Sequence, residues 1–81
     1  MKKIVRFTAS WCGPCKMLAK TLEEVESKLP IEVVDIDTHP EVAAEFGIRG
    51  VPTLVMIEDN IPSKRLVGNK TKQEIEAFIN D

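Results

Sequence analysis

Long apolar runs are missing from this 81-residue sequence, and with them the roughly 20-residue stretch that a membrane-spanning helix requires. An excess of charge is missing too. Eleven Lys and Arg stand against thirteen Asp and Glu, a formal net charge of −2, which excludes the basic footprint of a nucleic-acid-binding domain. Histidine occurs once and cysteine twice, too few for a scaffold of several disulfides. Behind the basic start Met1-Lys2-Lys3, Arg6 interrupts the apolar stretch. A secretory leader is therefore not expected, and a cytoplasmic location is. What remains is a chain that is 43% hydrophobic and 30% charged, the balance of a globule and not of a disordered segment. Size scaling removes about 63% of the unfolded surface on folding, enough for one core in one domain over residues 1–81.

The hydrophobic pattern predicts seven elements. Ile4 to Thr8 is rich in β-formers and reads as a strand, broken by Trp11-Cys12-Gly13-Pro14-Cys15. From there to Leu29 the residues Leu18, Leu22, Val25 and Leu29 recur at helical spacing. Glu24 and Lys28 form an i,i+4 pair on the opposite side, and Pro30 stops the helix. Ile31 to Ile36 reads as a second strand. Thr38, Pro40 and Glu41 open a short helix that Gly47 closes. Thr53 to Ile57 is a third strand, Asp59-Asn60 a turn, and Ile61 to Val67 a fourth strand. Pro62 assigns that fourth strand to a sheet edge. Thr71-Lys72-Gln73-Glu74 fits a capping box ahead of a helix burying Ile75, Phe78 and Ile79. The order β-α-β-α-β-β-α implies an α/β fold: a parallel crossover, a hairpin, and a four-stranded mixed sheet with helices on both faces.

Cys12 and Cys15 sit where the first strand hands over to the first helix. A closed zinc site takes four ligands, and two cysteines with His39 do not supply them. Pro14 makes the loop stiff for a cluster shared between chains. A purely structural disulfide closing four residues would stabilise by only about 1.9 kcal/mol and would pin nothing distant together. A redox dithiol fits better. The unpaired amides and positive dipole end at the helix mouth stabilise a thiolate at Cys12, and the thiolate is the form that attacks disulfides. Cys15, three residues on, faces the same side within reach of it. Gly13 lets a substrate backbone come close, and Pro14 occupies the first turn, where its missing N–H is harmless. Lys16 adds a nearby positive charge. Met17 and Met56 read as core fillers, and His39 as a solvent-side residue at a helix start.

Trp11-Cys12-Gly13-Pro14-Cys15-Lys16, Asp35-Ile36-Asp37, Phe46 to Leu54 with its Arg49-Gly50-Val51-Pro52-Thr53 core, and Val67-Gly68 together resemble the thioredoxin family along nearly the whole chain. The resemblance implies a thioredoxin-like fold without the family's usual first strand and helix. It implies Cys12 as the attacking thiol and Cys15 as the resolving one, and a cis peptide at Val51-Pro52. An extended substrate would dock on Trp11, Gly50, Val51, Pro52 and Gly68. For Trp11 the alternative is a core position under the loop. The implied activity is reduction of protein disulfides by a monomer. No cofactor is bound, and electrons come from NADPH through a thioredoxin reductase. A glutathione-coupled glutaredoxin, or a docking subunit without catalysis, would be the alternatives. Gly13-Pro14, and the lack of a Gly-Gly pair at Gly68-Asn69, argue against the glutaredoxin.

One departure stands out. Where the family carries a buried acid before the cysteine motif, this chain has Arg6, and where a lysine often accompanies it, Val33. Arg6 is expected either to reach water or pair with Asp35, or to favour the Cys15 thiolate by its charge.

Overall fold

The computed structural model describes residues 1–27 and 29–80. Seven elements follow one another: β1 (Lys2–Thr8), α1 (Gly13–Glu23), β2 (Ile31–Asp35), α2 (Pro40–Glu45), β3 (Thr53–Glu58), β4 (Ile61–Val67) and α3 (Lys72–Asn80). The sheet order is β2-β1-β3-β4. β1 runs parallel to β2, with Arg6 beside Val33, and antiparallel to β3, with Arg6 beside Leu54. The fold is the mixed four-stranded, three-helix α/β architecture expected from the pattern.

Strand alternation divides the interior in two. Ile4, Leu54 and Met56 point to one face, where Leu18 and Leu22 of α1 and Ile75, Phe78 and Ile79 of α3 cover them. Val5, Phe7, Val55 and Ile57 point to the other and pack with Val34 and with Ala43 of α2. β3 lies between β1 and β4 and is covered on both faces, so its Thr53–Ile57 run is buried throughout. That is why it reads as a continuous apolar stretch without alternation. Phe7 and Phe46 add a tilted ring pair with centroids 5.6 Å apart.

The punctuation residues act as their chemistry dictates. Asp59 and Asn60 both take positive φ, 53° and 70°, the backbone of a two-residue hairpin turn whose twist matches the strands it joins. β4 is an edge strand, and its pairing slips between Met56 and Ile57, next to Pro62. Pro62 has no N–H to give to a ladder. The Thr71 N–H donates to Glu74 Oε1 and the Glu74 N–H to Thr71 Oγ1, both at 3.1 Å, which is the reciprocal capping box.

α1 is shorter than its apolar stripe suggests. It ends at Glu23, and the Glu24 and Val25 amides fall back on Thr21 and Leu22 in three-residue turns. Glu23, Glu24 and Glu26 crowd the negative end of the helix dipole. The Ser27 hydroxyl also takes the Leu29 amide at 3.1 Å, a local bond that competes with helix. Val25 and Leu29 still pack on the core, but from a loop. The expected Glu24–Lys28 pair lies outside the described residues. Met17 is 60% exposed and fills no core, while Met56 is wholly buried. Met17 sits one position off the Leu18–Leu22 stripe and so faces water.

Candidate functional site

Cys12 is the N-cap of α1, with extended backbone (φ −90°, ψ 104°), and Pro14 stands in the first turn. Its Sγ accepts the Cys15 N–H at 3.1 Å. Helix N-caps are ordinarily oxygens of Ser, Thr, Asp or Asn; here a sulfur takes that place. Cys12 and Cys15 are joined in a disulfide, their Cα atoms 5.2 Å apart. Both are buried and form a small cluster with Ala9, against which Ile36 and Val51 pack. Gly13, Pro14 and Lys16 are exposed around them.

The rim of this cluster comes from distant parts of the chain. The Val51-Pro52 bond is cis. Gly50 is exposed, Val51 half-buried and Pro52 buried. Two bonds hold this loop. Thr53 Oγ1 donates to the Gly50 carbonyl at 2.8 Å, and the Gly68 N–H donates to the Pro52 carbonyl at 2.9 Å. Gly68 takes φ +93°, a conformation that side chains disfavour, and so brings the end of β4 to the loop.

Trp11 is 67% exposed, so its ring stands at the surface. Its Nε1–H donates to Asp37 Oδ2 at 2.8 Å. Asp37 belongs to the Asp35-Ile36-Asp37 motif, but nothing local in the sequence assigns it to a ring 26 positions away. The same motif is self-supporting. Asp35 Oδ1 accepts the N–H groups of Asp37, at 2.8 Å, and Thr38, at 3.4 Å. His39 is exposed and meets the Thr38 hydroxyl through Nδ1 at 2.9 Å. Among the described residues no three His, Cys, Asp or Glu side chains converge as a metal site would need, and no helix is long and apolar enough to cross a membrane.

Arg6 is half-buried on β1. Among the described residues it forms no ion pair, so the expected Arg6–Asp35 pair is absent. Asp35 instead spends its carboxylate on the turn amides just named. Burial pushes the Arg6 guanidinium below its ordinary pKa. Arg6, Lys16, Asp35 and Cys15 line a cleft of about 260 Å³ between β1, β2 and α1.

Comparison with known proteins gives a consistent result. Residues 1–81 match the family model described as thioredoxin. The thioredoxin of Mycobacterium tuberculosis is 42% identical over 82 residues, covering 96% of this chain and 71% of its own length. That of Alicyclobacillus acidocaldarius is 38% identical over 82 residues, covering 96% and 78%. The bifunctional thioredoxin reductase/thioredoxin of Mycobacterium leprae is also 42% identical over 82 residues, but this chain spans only 18% of that longer protein. Among solved structures, Fasciola hepatica thioredoxin superposes with a TM-score of 0.88 at 29% identity, over 98% of this chain and 78% of the other. Malassezia sympodialis thioredoxin gives 0.88 at 31%, over 98% and 72%.

Proposed function

The chain belongs to the thioredoxin family, and from that premise we propose that it reduces disulfides in other proteins by dithiol exchange through Cys12 and Cys15. The activity is that of a thiol–disulfide oxidoreductase. Cys12 attacks as the thiolate and forms a mixed disulfide with the substrate. Cys15 then attacks Cys12, the substrate leaves reduced, and the pair is left as the disulfide. The observation that carries this reading is the Cys12 sulfur standing as the cap of α1 with Cys15 one turn behind it. The Cys15 N–H of that first turn points at the Cys12 sulfur, and with the positive end of the helix dipole it favours the anion over the thiol.

The substrate lies extended along Gly50, Val51 and Pro52, against Trp11 and Gly68. Backbone pairing with an extended peptide gives affinity without demanding one sequence. The half-buried Val51 beside the cysteine cluster and the ring of Trp11 at the surface support this docking face. Gly13 and Pro14 complete the rim. On this reading the protein acts as a monomer with no bound cofactor. Electrons reach it from NADPH through a thioredoxin reductase, and the bifunctional Mycobacterium leprae relative supports that pairing. The work belongs in a reducing compartment such as the cytoplasm, where such a pair cycles instead of persisting as a staple.

Insulin-disulfide reduction tests the reading. Turnover is expected with NADPH and thioredoxin reductase and not with glutathione and glutathione reductase. Turnover only in the second arm would make the protein a glutathione-coupled enzyme. Loss of reduction is expected in Cys12→Ser, and a trapped mixed disulfide in Cys15→Ser. A cellular role retained when both cysteines are replaced would point to a docking subunit instead.

A further inference from the structure

Cys15 must lose a proton before it can release substrate, yet it is only 1% exposed. A buried thiol resists ionisation unless something nearby favours the anion. The cleft it lines holds three charged side chains: Arg6 from β1, Lys16 from α1 and Asp35 from β2. No charged residue of β3 or α3 lines it. Glu23, farther along α1, lines the neighbouring groove that shares Arg6. Of these, Lys16 is exposed and solvated. Asp35 accepts two backbone N–H groups of its own turn through Oδ1. Arg6 is half-buried, as Asp35 is, but it is the only one of the two that carries positive charge. Its strand neighbours Val33 and Leu54 are apolar, and no carboxylate within the described residues neutralises it. A charge in such surroundings is screened less than one in water.

Resting on the dithiol reading above, we infer that Arg6 is a positioning charge for the second half of the exchange: across the cleft it stabilises the Cys15 thiolate, so Cys15 ionises without a carboxylate base. The bookkeeping closes. The Cys15 proton passes to water in the cleft. The thiolate gives its electron pair to Cys12 Sγ, forming the Cys12–Cys15 bond. The bond between Cys12 and the substrate sulfur breaks, and the substrate leaves as a thiolate with that pair and takes a proton from solvent. Two electrons in all have moved from the dithiol to the substrate.

The test isolates Cys15 in a Cys12→Ser background, where it is the sole thiol. Its ionisation is read against pH by thiolate absorbance and by the rate of alkylation with iodoacetamide. Replacing Arg6 by Met is expected to make Cys15 about tenfold less acidic, the lower end of what a nearby opposite charge supplies. Arg6→Lys is expected to keep most of the effect. In the parent, added salt is expected to shift the titration to higher pH. This measurement needs no Arg6 variant to fold, and folding of each variant is checked by circular dichroism. A titration unmoved in both Arg6→Met and high salt, or moved to lower pH, overturns the inference. Insulin reduction by the unmutated protein is run alongside. If that activity is present and the titration does not move, Arg6 has no such role and the dithiol reading stands. If that activity is absent, the dithiol reading fails whatever the titration does.

Discussion

Reducing the Cys12–Cys15 bond is expected to weaken the fold by an amount the geometry sets. The bridge closes four residues within the first turn of α1. In the chain-entropy description that constrains the unfolded chain by about 1.9 kcal/mol. For a domain of this size the melting temperature would fall by about 8–15 °C. The same quantity, read around the thermodynamic cycle, makes the disulfide of the folded protein harder to reduce than that of the unfolded chain by about 40 mV. An opposing contribution comes from the helix mouth. A thiolate at Cys12 is stabilised there by about 0.3–1 kcal/mol, and only the reduced protein has one. That depresses the folded-state pKa of Cys12 below its unfolded value. The extra stability of the reduced form is therefore complete above the unfolded pKa and lost as pH falls through the folded one. The gap between oxidised and reduced protein is thus widest on the acid side and narrows as pH rises. Urea unfolding of both forms, at pH 5 and at pH 8.5, measures it. A reduced protein as stable as the oxidised one at pH 5, or a gap that widens with pH, would refute the reasoning.

Other expectations follow from single contacts. Thr71→Ala removes the cap of α3 and is expected to lower stability by about 1 kcal/mol. The Glu74 carboxyl is held below its ordinary value of 4.5, first by the Thr71 N–H and then by the Thr71 side chain. Its contribution is therefore full above that value and lost as pH falls below it, so acid melting curves of Glu74→Gln should be flatter than the parent's. Gly47 takes φ +65° with open space where a Cβ would go. Gly47→Ala is expected to lose about 1–2 kcal/mol from backbone conformation alone, and Gly47→Asn less, both measurable by urea titration. Asp37→Ala frees the Trp11 indole N–H. It is expected to change the fluorescence of the only tryptophan and its access to iodide while moving stability by no more than about 1 kcal/mol. An unchanged emission spectrum would remove Asp37 from the site.

The order of elements was legible because this chain marks them locally. Glycine, proline and the Asp59-Asn60 pair fall at the turns, and the period of the apolar residues switches cleanly between strand and helix. The capping box at Thr71 and Glu74 is a four-residue signal and needed no fold to be seen. The cysteine pair at a strand–helix junction is equally local. What escaped depends on competition or distance. The end of α1 was hidden because Val25 and Leu29 keep the apolar stripe while the acidic run and Ser27 break the helix beneath it. Met17 is apolar by type, yet faces water because its angle on the helix points that way. The Trp11–Asp37 bond joins two loops that only the sheet brings together. Arg6 could be flagged as out of place, but its lack of a carboxylate partner emerges only once Asp35 is seen holding its own turn.

A sulfur standing as the cap of α1 has one more implication. Whatever adds a bulky group to the working thiol also crowds the acceptor that closes the first helix. Alkylation of Cys12, which adds bulk at a position only 3% exposed, would therefore injure catalysis and architecture in one stroke. Spent molecules would loosen sooner than working ones and be the first that a cell's proteases remove. The carrier would then need no separate mark to distinguish the worn copy from the sound one.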